Sequence, residues 1–109
     1  MQPLSSKKCI PCEAGAPPLT PTQIQELQLK LNKPWQIIEN KKITKTFTFD
    51  SFKKTIKAVN KIAVIAEQEG HHPDMTIHYS TLIIELWTHA INGLSENDFI
   101  LASKIDEIL

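Results

Sequence analysis

The chain has 109 residues, of which 41% are hydrophobic and 22% charged, with 12 acidic side chains balanced by 12 basic ones. That length suits one domain and is short for two, and the neutral balance predicts no general affinity for nucleic acid or an anionic membrane surface. Every basic residue other than histidine is a lysine, so the planar bidentate clamp that arginine offers to phosphate is missing, which disfavours nucleotide handling.

No apolar run approaches the roughly 20 residues that span a bilayer, and Lys7-Lys8 is not followed by the apolar stretch of a secretory signal. A cytoplasmic location is therefore expected, with no membrane partner. Residues 1–19 are proline-rich and lack a periodic apolar pattern, and they read as a flexible or extended N-terminal arm. The arm contains Cys9-Ile10-Pro11-Cys12. A structural zinc needs four ligands and no second cysteine pair is present. A reducing cytosol disfavours a disulfide, so the pair reads as a tail element without catalytic duty.

The folded domain is expected over residues 20–109. Thr20-Pro21-Thr22-Gln23 has the form of a capping box with proline at the first helical position. Ile24, Leu27 and Leu31 then share one helical face, and the helix should stop near Asn32, ahead of Pro34. Trp35 to Ile38 and Lys42 to Phe49 read as strands around a turn at Glu39-Asn40-Lys41. In the second strand Ile43, Phe47 and Phe49 share a face that Lys45 interrupts, which suggests a lysine stem near a sheet edge.

Asp50 or Ser51 opens the longest helix, where Phe52, Ile56, Val59, Ala63 and Ala66 recur at steps of three and four, with Ile62 and Ile65 widening the stripe. Gly70 is a natural stop. Met75 to Tyr79 and Leu82 to His89 read as a hairpin around Ser80-Thr81. Ser95-Glu96-Asn97-Asp98 opens a last helix with Leu101, Ile105 and Ile108 on its buried face. The order α-β-β-α-β-β-α predicts an α+β fold, a four-stranded antiparallel sheet with helices packed on one face.

All four histidines lie between positions 71 and 89. Histidine alone has an unperturbed pKa that supports both proton donation and acceptance near neutrality. His71 and His72 follow the helix end, and Glu67 lies four residues before His71, where it can orient that ring. Taken singly, each has an ordinary explanation. A His-His pair suits a helix C-terminus, Glu67 suits a solvated helix face, and Asp98 suits a capping role. His78 alternates away from Met75, Ile77 and Tyr79 and reads as surface. His89 shares parity with Ile83, Glu85 and Trp87, a mixed face. A metal site is disfavoured, because adjacent histidines diverge on extended backbone and no helical i,i+4 histidine pair exists.

The run Glu67-Gln68-Glu69-Gly70-His71-His72-Pro73-Asp74, then Tyr79, then Thr88-His89-Ala90-Ile91-Asn92-Gly93-Leu94-Ser95-Glu96-Asn97-Asp98, resembles the signature of the pterin-4a-carbinolamine dehydratases. The resemblance extends back through Trp35, Phe47-Thr48-Phe49-Asp50-Ser51-Phe52 and the long helix. It implies helices on one side of a four-stranded antiparallel sheet, and a homodimer or homotetramer built by joining sheets and packing helices.

The implied activity is that of a hydro-lyase converting 4a-hydroxytetrahydropterin to quinonoid dihydropterin, which recycles the cofactor of aromatic amino-acid hydroxylases. The pterin is the implied small-molecule partner, and no metal or other cofactor is implied. By position, His71 and His89 would form the main acid–base pair, and His72 would help bind and polarise the pterin. Glu67 and Asp98 would support them, and Asp74, Met75 and Thr88 would contribute to substrate binding. Many relatives carry an aromatic residue where this chain has Met75. The alternative implied by the same fold is a non-enzymatic, dimer-stabilising binding protein.

Overall fold

A computed structural model describes residues 3–10 and 16–109; Cys12 lies outside them. The elements run α1 (Pro21–Leu29), β1 (Gln36–Ile38), β2 (Lys42–Thr48), α2 (Phe52–Glu69), β3 (Asp74–His78), β4 (Thr81–Leu86) and α3 (Glu96–Ile108), with short 3-10 turns at Leu4–Ser6 and His89–Ile91. The strands form one antiparallel sheet in the order β1-β2-β4-β3. This is the α+β architecture anticipated from the element order.

The helix starts follow their capping chemistry. Thr20 accepts from Gln23 N–H, and the Gln23 side chain accepts from Thr20 N–H in return, satisfying two orphan donors of α1. Gly70 ends α2 at φ 65°, a left-handed conformation that costs glycine little.

Ladder register defines the core face. Ile43 pairs with Leu86, Lys45 with Ile84 and Phe47 with Leu82, while Met75 and Ile77 of β3 lie opposite Ile84 and Leu82. Ile43, Leu82, Ile84 and Leu86 are fully buried, and α3 covers them with Phe99, Ile100, Leu101, Ala102 and Ile105. Lys45 is not at an edge. It sits on a central strand, with its ammonium 2.8 Å from Asp106 Oδ1 and 5.3–5.6 Å from the Phe47 and Trp35 ring centroids, so charge pairing and ring contacts compensate its burial.

Three local expectations shift. On α2 the buried positions are Thr55, Ala58, Ile62 and Ala66, whereas Phe52 and Ala63 face outward. The stripe is rotated because small residues and one threonine, its hydroxyl bonded back to Ser51 O, allow the close approach to neighbouring elements. The hairpin turn is Tyr79-Ser80, one residue earlier than expected, since His78 pairs with Thr81 and Tyr79 takes φ 50°. Finally β4 stops at Leu86, and Trp87 to His89 leave the ladder.

The loop that follows β4 is closed by a bridge between Thr88 and Gly93, each N–H donating to the other's carbonyl. Gly93 packs so closely on Pro18 that a Cβ there would lie 2.7 Å from the Pro18 Cβ, and Leu19 N–H donates to Leu94 O beside it. Within the N-terminal arm, Leu4 and Cys9 are buried in the main core, and Lys7 pairs with Glu96 at 2.9 Å.

Candidate active site

The end of α2, the start of β3, the loop after β4 and the start of α3 converge on a cleft of about 450 Å³. His71, His72, Asp74, Thr88 and His89 all line it. The histidines arrive there by different routes. His71 and His72 leave α2 at its glycine stop, and His71 N–H still bonds to Ala66 O. His89 comes from the closed loop held by Thr88 and Gly93.

His71 is the anchored member. Its ring is 12% exposed, and Nε2 lies 2.6 Å from Oδ1 of Asp98, whose side chain is completely buried. The other carboxylate oxygen, Oδ2, accepts from Thr88 Oγ1 at 2.9 Å and Ser95 N–H at 3.0 Å. Asp98 therefore serves two ends at once, capping α3 and holding His71. An ionised carboxylate only accepts, so Nε2 of His71 carries the proton and Nδ1 is the accepting nitrogen of the neutral ring.

His72 and His89 are held more loosely. His72 Nε2 meets Glu67 Oε2 at 2.5 Å, with both side chains well exposed. Glu67 thus pairs with His72 and not with His71. The reason is geometric, because the left-handed turn at Gly70 redirects the chain and gives His71 to Asp98. His89 stacks on Trp87, centroids 3.8 Å apart at 31°. The Trp87 indole N–H donates to Asp74 Oδ2 at 2.9 Å, and His89 Nε2 lies 3.9 Å from the same oxygen.

Two of the expected substrate-binding residues stand differently. Met75 opposes Ile84 and packs against the core, so it does not line the cleft. Thr88 lines the cleft, but its buried hydroxyl is engaged by Asp98 and Ser95. Sequence reasoning missed Trp87, which brings an aromatic surface into the cleft from the loop after β4. The spacing Trp87-Thr88-His89 was legible, but a β4 running to His89 put the tryptophan and histidine on one side of a flat strand instead of around a turn. It also missed Ile10 and Asn97, which complete the cleft rim. His78 is exposed on β3. Among the described residues no three His, Cys, Asp or Glu side chains are arranged to hold a metal ion, and no helix is long and apolar enough to cross a membrane.

The sequence model of the pterin 4 alpha carbinolamine dehydratase family matches residues 17–108. A protein of Rickettsia bellii, named provisionally as a pterin-4-alpha-carbinolamine dehydratase, is 52% identical over 103 residues, covering 94% of this chain and 91% of its own. A similarly named protein of Nitrosomonas eutropha is 45% identical over 106 residues, covering 97% and 93%. Among solved structures, the transcriptional coactivator/pterin dehydratase from Brucella melitensis matches with a TM-score of 0.76 at 30% identity, over 84% of this chain and 97% of that one. A pterin dehydratase-like protein described as a RuBisCO assembly factor in the alpha-carboxysome shares the fold, with a TM-score of 0.60 at 22% identity over 71% and 90%. The chain belongs to the pterin-4-alpha-carbinolamine dehydratase family.

Proposed function

We propose that the protein is a 4a-hydroxytetrahydropterin dehydratase, and that the buried Asp98–His71 pair facing a cleft shared with His72 and His89 is its acid–base centre. The pair is the observation that carries the reading. A fully buried carboxylate that fixes one imidazole tautomer costs more to bury than an ordinary helix cap requires.

In the reaction the C4a–O bond breaks and the N5–H proton leaves, so that a C4a=N5 double bond forms and the hydroxyl departs as water. With Nε2–H given to Asp98, His71 is the base, and its Nδ1 accepts the N5 proton. His89, exposed to solvent at the cleft mouth, donates the proton that the departing hydroxyl needs. His72 hydrogen-bonds the pterin and polarises it, with Glu67 steering the ring. Proton transfer by positioned histidines contributes about 10²–10⁴-fold, and no redox or nucleotide chemistry enters the atom balance. Recycling of the hydroxylase cofactor in the cytoplasm follows as the physiological setting. Exposed Phe52 and Val64 on α2, and Ile77 and Tyr79 at the β3 hairpin, support a homodimer or homotetramer.

The second reading is a binding protein of the same fold. The Brucella melitensis relative, whose name joins coactivator and dehydratase, and the same exposed apolar side chains favour it. One experiment separates the two. Dehydration of freshly generated 4a-hydroxytetrahydropterin is followed spectroscopically with the wild type and with a His71→Ala/His89→Ala variant. The enzyme reading expects a rate drop of at least about 100-fold in the variant. Equal rates for the two proteins, both near the uncatalysed value, leave the binding reading in place.

A further inference from the structure

The N-terminal segment is the part of the sequence to which the reaction assigns no role, and the family match begins only at residue 17. Yet among the described residues of this segment Ile10 reaches the cleft. Ile10 lines it together with His71, His72, Trp87 and His89, while remaining 70% exposed. An aliphatic side chain so exposed gains little from the core. What holds it at the rim is its backbone.

That backbone is clamped at two points. Ile10 N–H donates to Asn97 Oδ1 at 3.0 Å, and Asn97 Nδ2 donates back to Ile10 O at 2.5 Å. One residue earlier, Cys9 N–H donates to Glu69 Oε1 at 2.8 Å, and Glu69 is in turn fixed by Lys104 at 2.8 Å. The anchors have meaning for the site. Asn97 is the residue before Asp98, and Glu69 lies two before His71. Leu4 and Cys9, buried at 3% and 7% exposure, fasten the segment to the core behind them. The strap is thus mounted on the two elements that hold the His71–Asp98 pair, and it carries one unspent apolar side chain to the cleft.

We infer that Ile10 is a substrate-contacting, specificity-determining residue, and that the Asn97 clamp is its mount. The inference rests on the dehydratase reading and deepens it. A pterin is a flat bicycle with apolar faces and a polar edge, and three imidazoles and the Asp74 carboxylate supply the polar chemistry of this cleft. Trp87 brings apolar surface from the loop after β4, and Ile10 brings it from the N-terminal segment, so the ring meets apolar contact from two sources. Contact of this kind binds substrate and transition state alike, so it acts on KM and leaves kcat alone.

The test uses the full chain with Ile10→Ala, Asn97→Ala and the double variant. It measures dehydration kinetics and the Kd for 7,8-dihydrobiopterin, a stable reduced pterin, by titration. Ile10→Ala is expected to raise KM and Kd by about three- to tenfold with kcat within about twofold, and its melting temperature should stay unchanged because the side chain is exposed. Asn97→Ala should raise KM and Kd as well, and the double variant should add little to either single change, since both act through one side chain. Unchanged KM and Kd in Ile10→Ala overturn the inference, and so does a lower kcat at constant Kd. Additive effects in the double variant overturn the clamp's role as mount. Should the wild type neither bind nor dehydrate pterins, the dehydratase reading itself fails, an outcome distinct from all of these.

Discussion

Replacing Asp98 by asparagine tests the centre of the site while nearly preserving its volume. The carboxylate accepts on both oxygens, from His71 on one side and from Ser95 N–H and Thr88 on the other. An amide can accept on one side only. A backbone N–H cannot become an acceptor, whereas imidazole can move its proton to the other nitrogen at little cost. The amide oxygen therefore stays with Ser95, and the amide nitrogen faces His71. Nε2 must then accept, and the ring proton moves to Nδ1, the nitrogen that the proposed mechanism assigns to receive the substrate's proton.

The cap survives, so the stability loss is confined to one charge-assisted hydrogen bond, about 1.5–3 kcal/mol. For a domain of this size that corresponds to a melting temperature lower by roughly 6–12 °C. Turnover should fall about 10²–10³-fold. The assay combines thermal unfolding by circular dichroism, steady-state dehydration, and ¹⁵N NMR of the imidazoles to read the His71 tautomer. Glu67→Gln is the control. Its pair with His72 is exposed on both sides, so it should change stability by less than about 1 kcal/mol. The reasoning is refuted if Asp98→Asn retains the Nε2–H tautomer at His71, or if its kcat stays within about threefold of wild type.

Two further expectations concern the strap. Burial works to raise the Glu69 pKa, but its hydrogen bonds from Lys104 and the Cys9 N–H outweigh that and hold the carboxyl below its ordinary value. A depressed pKa stabilises the fold above the ordinary carboxylate range, and that contribution disappears as pH falls through the folded-state value. Glu69→Gln should accordingly melt below wild type at neutral pH, by about 1–3 kcal/mol, and the gap should close in acid; a gap that is constant with pH contradicts the assignment. Burial first, and then the Glu69 charge, push the Cys9 thiol up to about 12. In a Cys12→Ser background, a thiol reagent at neutral pH should therefore label the native protein at least about 100-fold more slowly than the unfolded chain, since the thiolate is the nucleophile. Comparable rates would mean that Cys9 is accessible and the strap undocked.

Elements with local chemistry were legible in advance. The capping boxes at Thr20 and Ser95 and the glycine stop after α2 depend on neighbours within a few residues, so they can be read from the string. Placement that depends on distant partners was not. Nothing near Lys45 in sequence announces Asp106, and nothing near Asp98 announces His71. The α2 stripe was misplaced because a periodicity count favours bulky residues, while tight packing selected Thr55 and Ala58 instead. Among the described residues of the arm the contacts are scattered, with Leu4 and Cys9 buried, Lys7 paired with Glu96 and a few backbone hydrogen bonds, which leaves no period to detect. Trp87 escaped for a related reason. Its partnership with His89 exists only because the chain leaves the ladder after Leu86 and turns.

The unequal seating of the three histidines has an evolutionary consequence. His72 and His89 stand about 60% exposed, so mutation can remove them with little effect on folding. His71 and Asp98 are embedded in the joint between α2 and α3, and losing either leaves buried polar groups without partners. A lineage that abandoned the reaction but kept the scaffold would shed His72 and His89 by drift and retain the buried couple for architectural reasons. On the proposed roles, the exposed pair is therefore the more informative marker for sorting active from repurposed members of this fold, although the buried pair is the more conspicuous in the structure.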